Sequence, residues 1–127
     1  MTERRLISSG APWEPIFGYS RAVKVGNQVF VAGTVGRNAD GSVPSGPYQQ
    51  AKRAMEIIGE ALAEAGATFE HVVRTRIFVT DIASFDEVAR AHGEIFSAIR
   101  PATSLVEVGR LVEPVYVVEI EVDAVIV

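Results

Sequence analysis

The spacing of apolar residues predicts two helices in this chain. In the segment Pro47–Ala65, apolar residues recur every three or four positions, with proline at the start and Gly66 just past the end. A second helix is predicted from Ser84-Phe85-Asp86-Glu87, whose spacing matches a capping box, up to Pro101, which forbids further turns. Each helix is expected to bury one apolar face.

An alternation of period two predicts strands elsewhere. A hairpin is expected at Arg21–Val25 and Gln28–Ala32, because Gly26-Asn27 suits the two-residue turn between them. The segment Val72–Thr80 also alternates, and Ser104–Val108 is a further strand candidate. On Val72–Thr80 one face is expected to carry Val73, Thr75, Ile77 and Val79, and the other Arg74, Arg76 and Phe78.

The final strand candidate, Tyr116–Val127, alternates apolar with acidic residues after a turn near Glu113-Pro114. Val118, Ile120, Val122, Ala124 and Ile126 share one face, while Glu119, Glu121 and Asp123 project from the other. A carboxylate that holds or deprotonates a water serves hydrolysis or tautomerisation. Taken alone, such a row is more typical of a solvated face, or of ion pairs with Arg74 and Arg76 on a neighbouring strand.

The order of these elements predicts one domain over residues 1–127. Strand, strand, helix, strand, helix, strand and strand follow one another without a repeat or linker. Two helices on one face of a mixed sheet give a two-layer α+β architecture. The uncovered face carries apolar residues, which favours self-association through it: Phe78, Val117, Val125 and Val127.

Composition removes several classes of function. The 127 residues are 48% hydrophobic and 22% charged, typical of a globular domain. The absence of cysteine excludes disulfides and thiolate chemistry, and a net charge of −4 argues against a nucleic-acid partner. The sequence contains no targeting segment and no membrane-spanning stretch, so we expect a cytoplasmic protein without a membrane partner.

Candidate chemistry is sparse. The two histidines, His71 and His92, lack zinc-site spacing, and His92 is predicted to pack on an apolar helix face. No nucleotide or phosphate motif is present, so no cofactor and no metal are expected. The aromatic residues Trp13, Phe17 and Tyr19 either cover the core or form a cleft wall.

Three segments resemble one known family. They are Gly18 to Gly33, Val72 to Asp81, and Arg100-Pro101-Ala102 through Glu119-Ile120-Glu121, which together span nearly the whole chain. The sequence resembles the YjgF/RidA family of reactive intermediate deaminases. The resemblance implies a chorismate-mutase-like α+β fold, a homotrimer, and a cleft between subunits that binds a small metabolite.

The resemblance also implies a chemistry. Members of this family hydrolyse reactive enamines and imines to a 2-oxo acid and ammonia, without cofactor or metal. A glutamate on the last strand orients the attacking water, and that position is Glu119. The cleft aromatic corresponds to Tyr19, and backbone contacts to the substrate correspond to Gly33 and Leu105.

One family residue has no counterpart here. The arginine of the Pro-Ala-Arg-Ser signature, which grips the substrate carboxylate, is replaced by Thr103, and the serine expected before Gly33 is Ala32. A threonine hydroxyl supplies neither the charge nor the two hydrogen bonds of a guanidinium. Two alternatives follow: Arg100, three residues upstream, replaces the missing arginine, although Pro101 biases Arg100 towards an extended backbone, or the ligand carries no carboxylate at that end. Otherwise Arg100 is a cation at a helix C-terminus.

Three functions follow as hypotheses. The leading one is cofactor-free hydrolytic deamination of an enamine or imine, or a related hydrolysis or tautomerisation, at Glu119. Activity on ordinary 2-imino acids is expected to be weak. The second is a non-catalytic module that binds a metabolite or modulates an enzyme. RNA cleavage is third, because the chain is acidic and a histidine pair for acid–base work is not evident.

Overall fold

The computed structural model describes residues 3–127, which form six strands and three α-helices. The strands are β1 (Arg4–Ile7), β2 (Ala22–Val25), β3 (Gln28–Val35), β4 (Val72–Val79), β5 (Ala102–Glu107) and β6 (Val118–Val125). The helices are α1 (Trp13–Phe17), α2 (Pro47–Glu64) and α3 (Phe85–Phe96), and short 3₁₀ turns lie at Phe69–His71 and Ile82–Ser84.

One mixed sheet joins the strands in the order β1-β2-β3-β6-β4-β5. Neighbours are antiparallel except β4 and β5, which are parallel and are connected through α3. The central strand β6 therefore lies between β3 and β4, and α2 crosses over it. The predicted α+β class and both long helices are confirmed.

The core lies between the sheet and the two long helices. On β6, Val118, Ile120, Val122 and Ala124 are buried, as the alternation predicted. They pack against the apolar stripe of α2, which includes Ala54, Met55, Ile58 and Leu62. The acidic residues of β6 consequently lie on the other face of the sheet, which we call the open face.

The predicted inner face of β4 is wrong at its first residue. Val73 is 48% exposed, and Val72 is buried in its place at 3% exposure. The register with β6 shifts between Val72 and Arg74, and such a bulge reverses the facing of the residues before it. Thr75, Ile77 and Val79 are buried as predicted.

Other differences concern the ends of elements. β1 and α1 were not predicted, and β5 begins at Ala102 instead of Ser104. The predicted capping box is also wrong, because the Ser84 side chain does not cap α3 and instead donates to the carbonyl of Asp81. Within the described residues, no helix is long and apolar enough to cross a membrane.

A buried glutamine fixes the start of α2 against the loop before β6. The Gln50 amide nitrogen donates to the carbonyls of Pro44 and Val115 at 3.1 and 2.9 Å, and its oxygen accepts from the Val117 amide at 2.9 Å. Gly36 lies directly against the Gln50 backbone, where a Cβ would come within 2.9 Å of Cα. These contacts hold the end of β3 close to α2.

Candidate functional site

Glu119 lies on the open face, opposite Val35 of β3 and Phe78 of β4. Its side chain is half-buried. Among residues 3–127, no lysine or arginine lies within ion-pair distance of its carboxylate. Glu119 is therefore a carboxylate without a salt-bridge partner in this part of the chain.

The other two carboxylates of β6 have a different environment. Arg76 on β4 pairs with Glu121 at 3.2 Å and with Asp123 at 3.3 Å. The predicted cross-strand ion pairs are confirmed for Arg76, whereas the described structure contains none for Arg74. Within the described residues, the structure thus separates one carboxylate without an ion pair from two that share a single arginine.

A bulge in β3 makes room for the Glu119 carboxyl group. The register between β3 and β6 shifts between Val31 and Thr34, so that Ala32 and Gly33 lie in the irregular stretch. A Cβ at Gly33 would overlap a carboxylate oxygen of Glu119 and lie 2.9 Å from its Cδ. Glycine at position 33 therefore leaves open the space that the Glu119 carboxyl group occupies.

A buried arginine holds this bulge. Arg21 donates to the carbonyl of Gly33 at 2.7 Å, to the hydroxyl of Thr34 at 2.9 Å and to that of Ser9 at 3.3 Å. It also donates to the Tyr19 hydroxyl at 3.1 Å. The guanidinium thus fixes both the backbone beside Glu119 and the ring of Tyr19.

Glu14, in the first turn of α1, supports the same network by binding the loop before the helix. Its carboxylate accepts hydrogen bonds from the Ser9 amide at 3.1 Å, the Ser9 hydroxyl at 2.8 Å and the Ala11 amide at 3.2 Å. Burial alone would raise the pKa of Glu14, but these hydrogen bonds outweigh it and hold the pKa below its usual range. Ser9 is thereby oriented towards Arg21.

The environment of Glu119 weakens the acidity of its carboxyl group. Burial raises the pKa of the Glu119 carboxyl above its ordinary value, and the nearby charge of Glu121 raises it further. The positive charge of Arg21 opposes these effects without cancelling them. A carboxyl group in this state can exchange protons closer to neutral pH than an ordinary glutamate.

A cleft of about 540 Å³ lies beside Glu119. It brings together three residues named from the sequence, Tyr19, Gly33 and Glu119. Its other lining residues are Trp13, Phe17, Arg21, Ala32, Val35 and Val112. The aromatic cluster near the start of the chain is therefore a cleft wall.

The remaining predicted residues do not reach this cleft within one chain. Thr103 and Leu105 lie on the edge strand β5, and the Thr103 hydroxyl is 2.7 Å from that of Thr75, which faces the helices. The hydroxyl of Thr75 is also 2.9 Å from Nε2 of His92, and Thr103 donates to the carbonyl of Pro101 at 3.0 Å. Thr103 is thus on the opposite face of the sheet from Glu119.

Arg100 is still further away. It follows α3 with a positive φ of 59°, and its amide donates to the carbonyl of Phe96 at 2.8 Å, which ends the helix. The expected extended bias before proline is not realised. Ala102, at the start of β5, is level with Asp123 of β6, four residues or roughly 13 Å along the strand from Glu119, and Arg100 precedes it by two residues.

Both histidines have structural contacts. His92 packs on Phe96 with ring centroids 4.6 Å apart, and burial lowers the pKa of His92, in keeping with the predicted packed histidine. His71 accepts from the Thr68 amide at 3.0 Å. Within the described residues, no group of three or more His, Asp or Glu side chains is arranged to hold a metal ion.

Sequence reasoning missed Arg21 and Glu14 as members of the site. Arg21 was assigned only to the start of a strand. A cation at an inward strand position is a usable signal, because a buried guanidinium requires several acceptors. Glu14 gave no comparable signal, since its partners are backbone amides of an irregular loop.

The fold and site define a class: a two-layer α+β protein with a half-buried carboxyl group over a strand bulge and an aromatic cleft. The family model described as Endoribonuclease L-PSP matches residues 9–126. The chain belongs to this family, which is the YjgF/RidA family.

Individual relatives agree with this assignment. A solved structure of a YjgF/YER057c/UK114 family member from Mycobacterium tuberculosis is 47% identical, with a TM-score of 0.88, covering 98% of this chain and all of that one. An uncharacterized protein of Streptomyces coelicolor is 41% identical over 94% of this chain and 90% of its own length. The 2-iminobutanoate/2-iminopropanoate deaminase of Rattus norvegicus is 33% identical over 85% and 80%.

Proposed function

We propose that the protein hydrolyses an imine or enamine to a carbonyl compound and ammonia, with Glu119 as the proton-transferring group. The observation that carries this proposal is the Glu119 carboxyl group, which is half-buried, without an ion pair in the described chain, and directed into the cleft over Gly33. The deaminase relatives support the reaction class.

The chemistry needs only water as co-reactant. Water adds to the imine carbon while the Glu119 carboxylate accepts a proton from that water. The proton passes to the nitrogen, which gives a carbinolamine. The remaining hydroxyl proton is then transferred to the nitrogen by way of the same carboxylate, the carbon–nitrogen bond breaks, ammonia leaves and the carbonyl group forms. An enamine is first converted to the imine. The neutral carboxyl group of Glu119 donates a proton to the enamine carbon, and the resulting carboxylate accepts a proton from the nitrogen.

We propose that Thr103 and Leu105 act from a second copy of the chain. These residues lie on an edge strand away from Glu119, so a cleft containing all of them requires neighbouring subunits, as in the homotrimer that the family resemblance implies. Thr103 carries no charge and cannot pair with the carboxylate of a 2-imino acid. Ordinary 2-imino acids are therefore poor substrates in this proposal.

RNA cleavage, which the family description names, is not the function we propose. A net charge of −4 opposes binding to a phosphate backbone. On the open face, Glu121 and Asp123 add further negative charge beside Glu119, although Arg76 offsets part of it.

The test is ammonia release from imines that are generated in situ. An amine oxidase supplies imines without a carboxylate, and an amino acid oxidase supplies 2-imino acids. We expect wild-type protein to accelerate release, and Glu119→Gln to lose about 100-fold or more of that acceleration, since general acid–base groups typically contribute that much. Glu121→Gln is the matched control, because it removes a carboxylate from the same strand and face and is expected to retain activity within about threefold.

Two outcomes contradict the proposal. If Glu119→Gln and Glu121→Gln lose equal activity, removal of any negative charge on this face slows ammonia release, and Glu119 has no specific role. Binding of an unreactive analogue without any turnover of imines by wild-type protein supports the non-catalytic metabolite-binding module instead.

A further inference from the structure

We infer that the cleft beside Glu119 selects a substrate with an aromatic or similarly bulky apolar group and without a carboxylate. The inference rests on the proposed function for the reaction itself. The preference for an apolar, uncharged ligand is argued separately, from the residues that line the cleft.

The short helix α1 sets the apolar wall. Trp13 and Phe17 are four residues apart, which places them on the same side of the helix, and both line the cleft. Gly18 ends the helix with a φ of 86°, and this left-handed turn returns the chain to Tyr19, the third aromatic residue of the wall.

The ring of Phe17 remains exposed although it contacts a second aromatic ring. Phe17 contacts Tyr19 edge to face, with centroids 5.8 Å apart, yet 83% of Phe17 is exposed. Trp13 is held in the same manner by Tyr116 at 6.4 Å. Val112 also lines the cleft and is exposed. Within one chain these apolar surfaces face the cleft, where an apolar group of a ligand would displace water from them.

The charged groups of the cleft do not favour an anion. Among residues 3–127 of one chain, Arg21 is the only basic residue that lines the cleft. Its guanidinium already donates to Gly33, Thr34, Ser9 and Tyr19. Glu119 is the other charged lining residue, and its negative form repels a carboxylate. A neutral ligand avoids this repulsion while its apolar group contacts Phe17 and Trp13.

The size of the cleft suits such a ligand. About 540 Å³ lies within the range of small-molecule sites, which are mostly apolar with a few converging polar groups. Here the polar groups are the Glu119 carboxyl and the Tyr19 hydroxyl, both at the end of the cleft nearest the β3 bulge. A substrate would therefore place its reacting nitrogen and carbon at that end and its ring against α1.

The test uses unreactive ligands, so that it does not depend on turnover. Trp13 is the only tryptophan of the chain, and its fluorescence reports directly on the cleft. Wild-type protein is titrated with benzamide, acetamide and benzoate. We expect benzamide to bind about tenfold more tightly than acetamide because of its ring, and more tightly than benzoate because of the missing charge.

Matched variants locate the effect. Phe17→Ala is expected to weaken benzamide binding about fivefold, in line with the energy of an aromatic contact. Ile16→Ala is the control, because Ile16 is 85% exposed on the same helix and does not line the cleft. We expect it to bind benzamide within about twofold of wild type.

The inference is overturned if benzoate binds more tightly than benzamide, if acetamide and benzamide give equal or no response, or if both variants weaken benzamide binding alike. The ligand series in wild-type protein stands even if Phe17→Ala fails to fold. A protein that releases no ammonia from any imine, yet prefers benzamide, refutes the proposed reaction and leaves the ligand preference intact.

Discussion

At the residue scale, the position of the Glu119 carboxyl group depends on the absent side chain of Gly33. The carboxylate occupies the volume that a Cβ would fill, and Arg21 holds the carbonyl of Gly33 from the other side. The pKa of Glu119 rises because this site is partly shielded from water. The position of the Glu119 carboxyl group beside Gly33 therefore also accounts for its raised pKa.

Gly33→Ala tests this dependence. The new Cβ would displace the Glu119 carboxyl group, and we expect roughly 100-fold slower ammonia release, as for other misplaced catalytic groups. Gly93→Ala is the control, because a Cβ there meets nothing within 4 Å and alanine favours the helix. It is expected to retain activity and to gain about 0.5–1 kcal/mol in urea unfolding. Full activity in Gly33→Ala contradicts the steric account.

The sequence predicted part of this site for definite reasons. Glu119 was identifiable because strict alternation on one strand fixes which residues face away from the core. The β3 partners of Arg21 were not, because they lie in a bulge of that strand that no periodicity reveals. The contacts of Thr103 with Thr75 were hidden for another reason, since they require the parallel pairing of β4 with β5.

At the scale of elements, length decided what could be predicted. The 18 residues of α2 give several turns of apolar spacing, whereas the five residues of α1 give little more than one. β1 is an edge strand of four residues with only Ile7 buried, so it lacks an alternation to detect. The bulge in β4 reverses the faces on which Val72 and Val73 lie. The prediction was wrong there because period-two alternation assumes an unbroken register.

At the scale of the whole molecule, the two long helices, α2 and α3, pack on one face of the sheet. The open face exposes apolar side chains on several strands, among them Leu6, Phe30 and Val106. Exposed apolar surface of this kind typically marks an interface, and the proposed inter-subunit cleft requires one.

Phe30→Glu tests self-association through the open face. Phe30 is 44% exposed beside β6, and a new carboxylate there would be desolvated at an interface and face Asp123 across the strands. We expect its mass in solution to fall from trimer towards monomer. Phe85→Glu, at an equally exposed phenylalanine at the start of α3, is expected to keep the mass of wild type. A monomeric wild-type protein, or an unchanged mass in Phe30→Glu, contradicts this interface.

The central claim, that Glu119 transfers the proton, is tested most directly by the pH dependence of kcat/KM for imine hydrolysis. If the carboxylate accepts a proton from water, activity falls as pH drops through the raised pKa of Glu119. The account predicts a midpoint above about 4.3, the ordinary value for glutamate, and no such limb in the residual activity of Glu119→Gln. A midpoint at or below the ordinary value, or the same limb in Glu119→Gln, would contradict it.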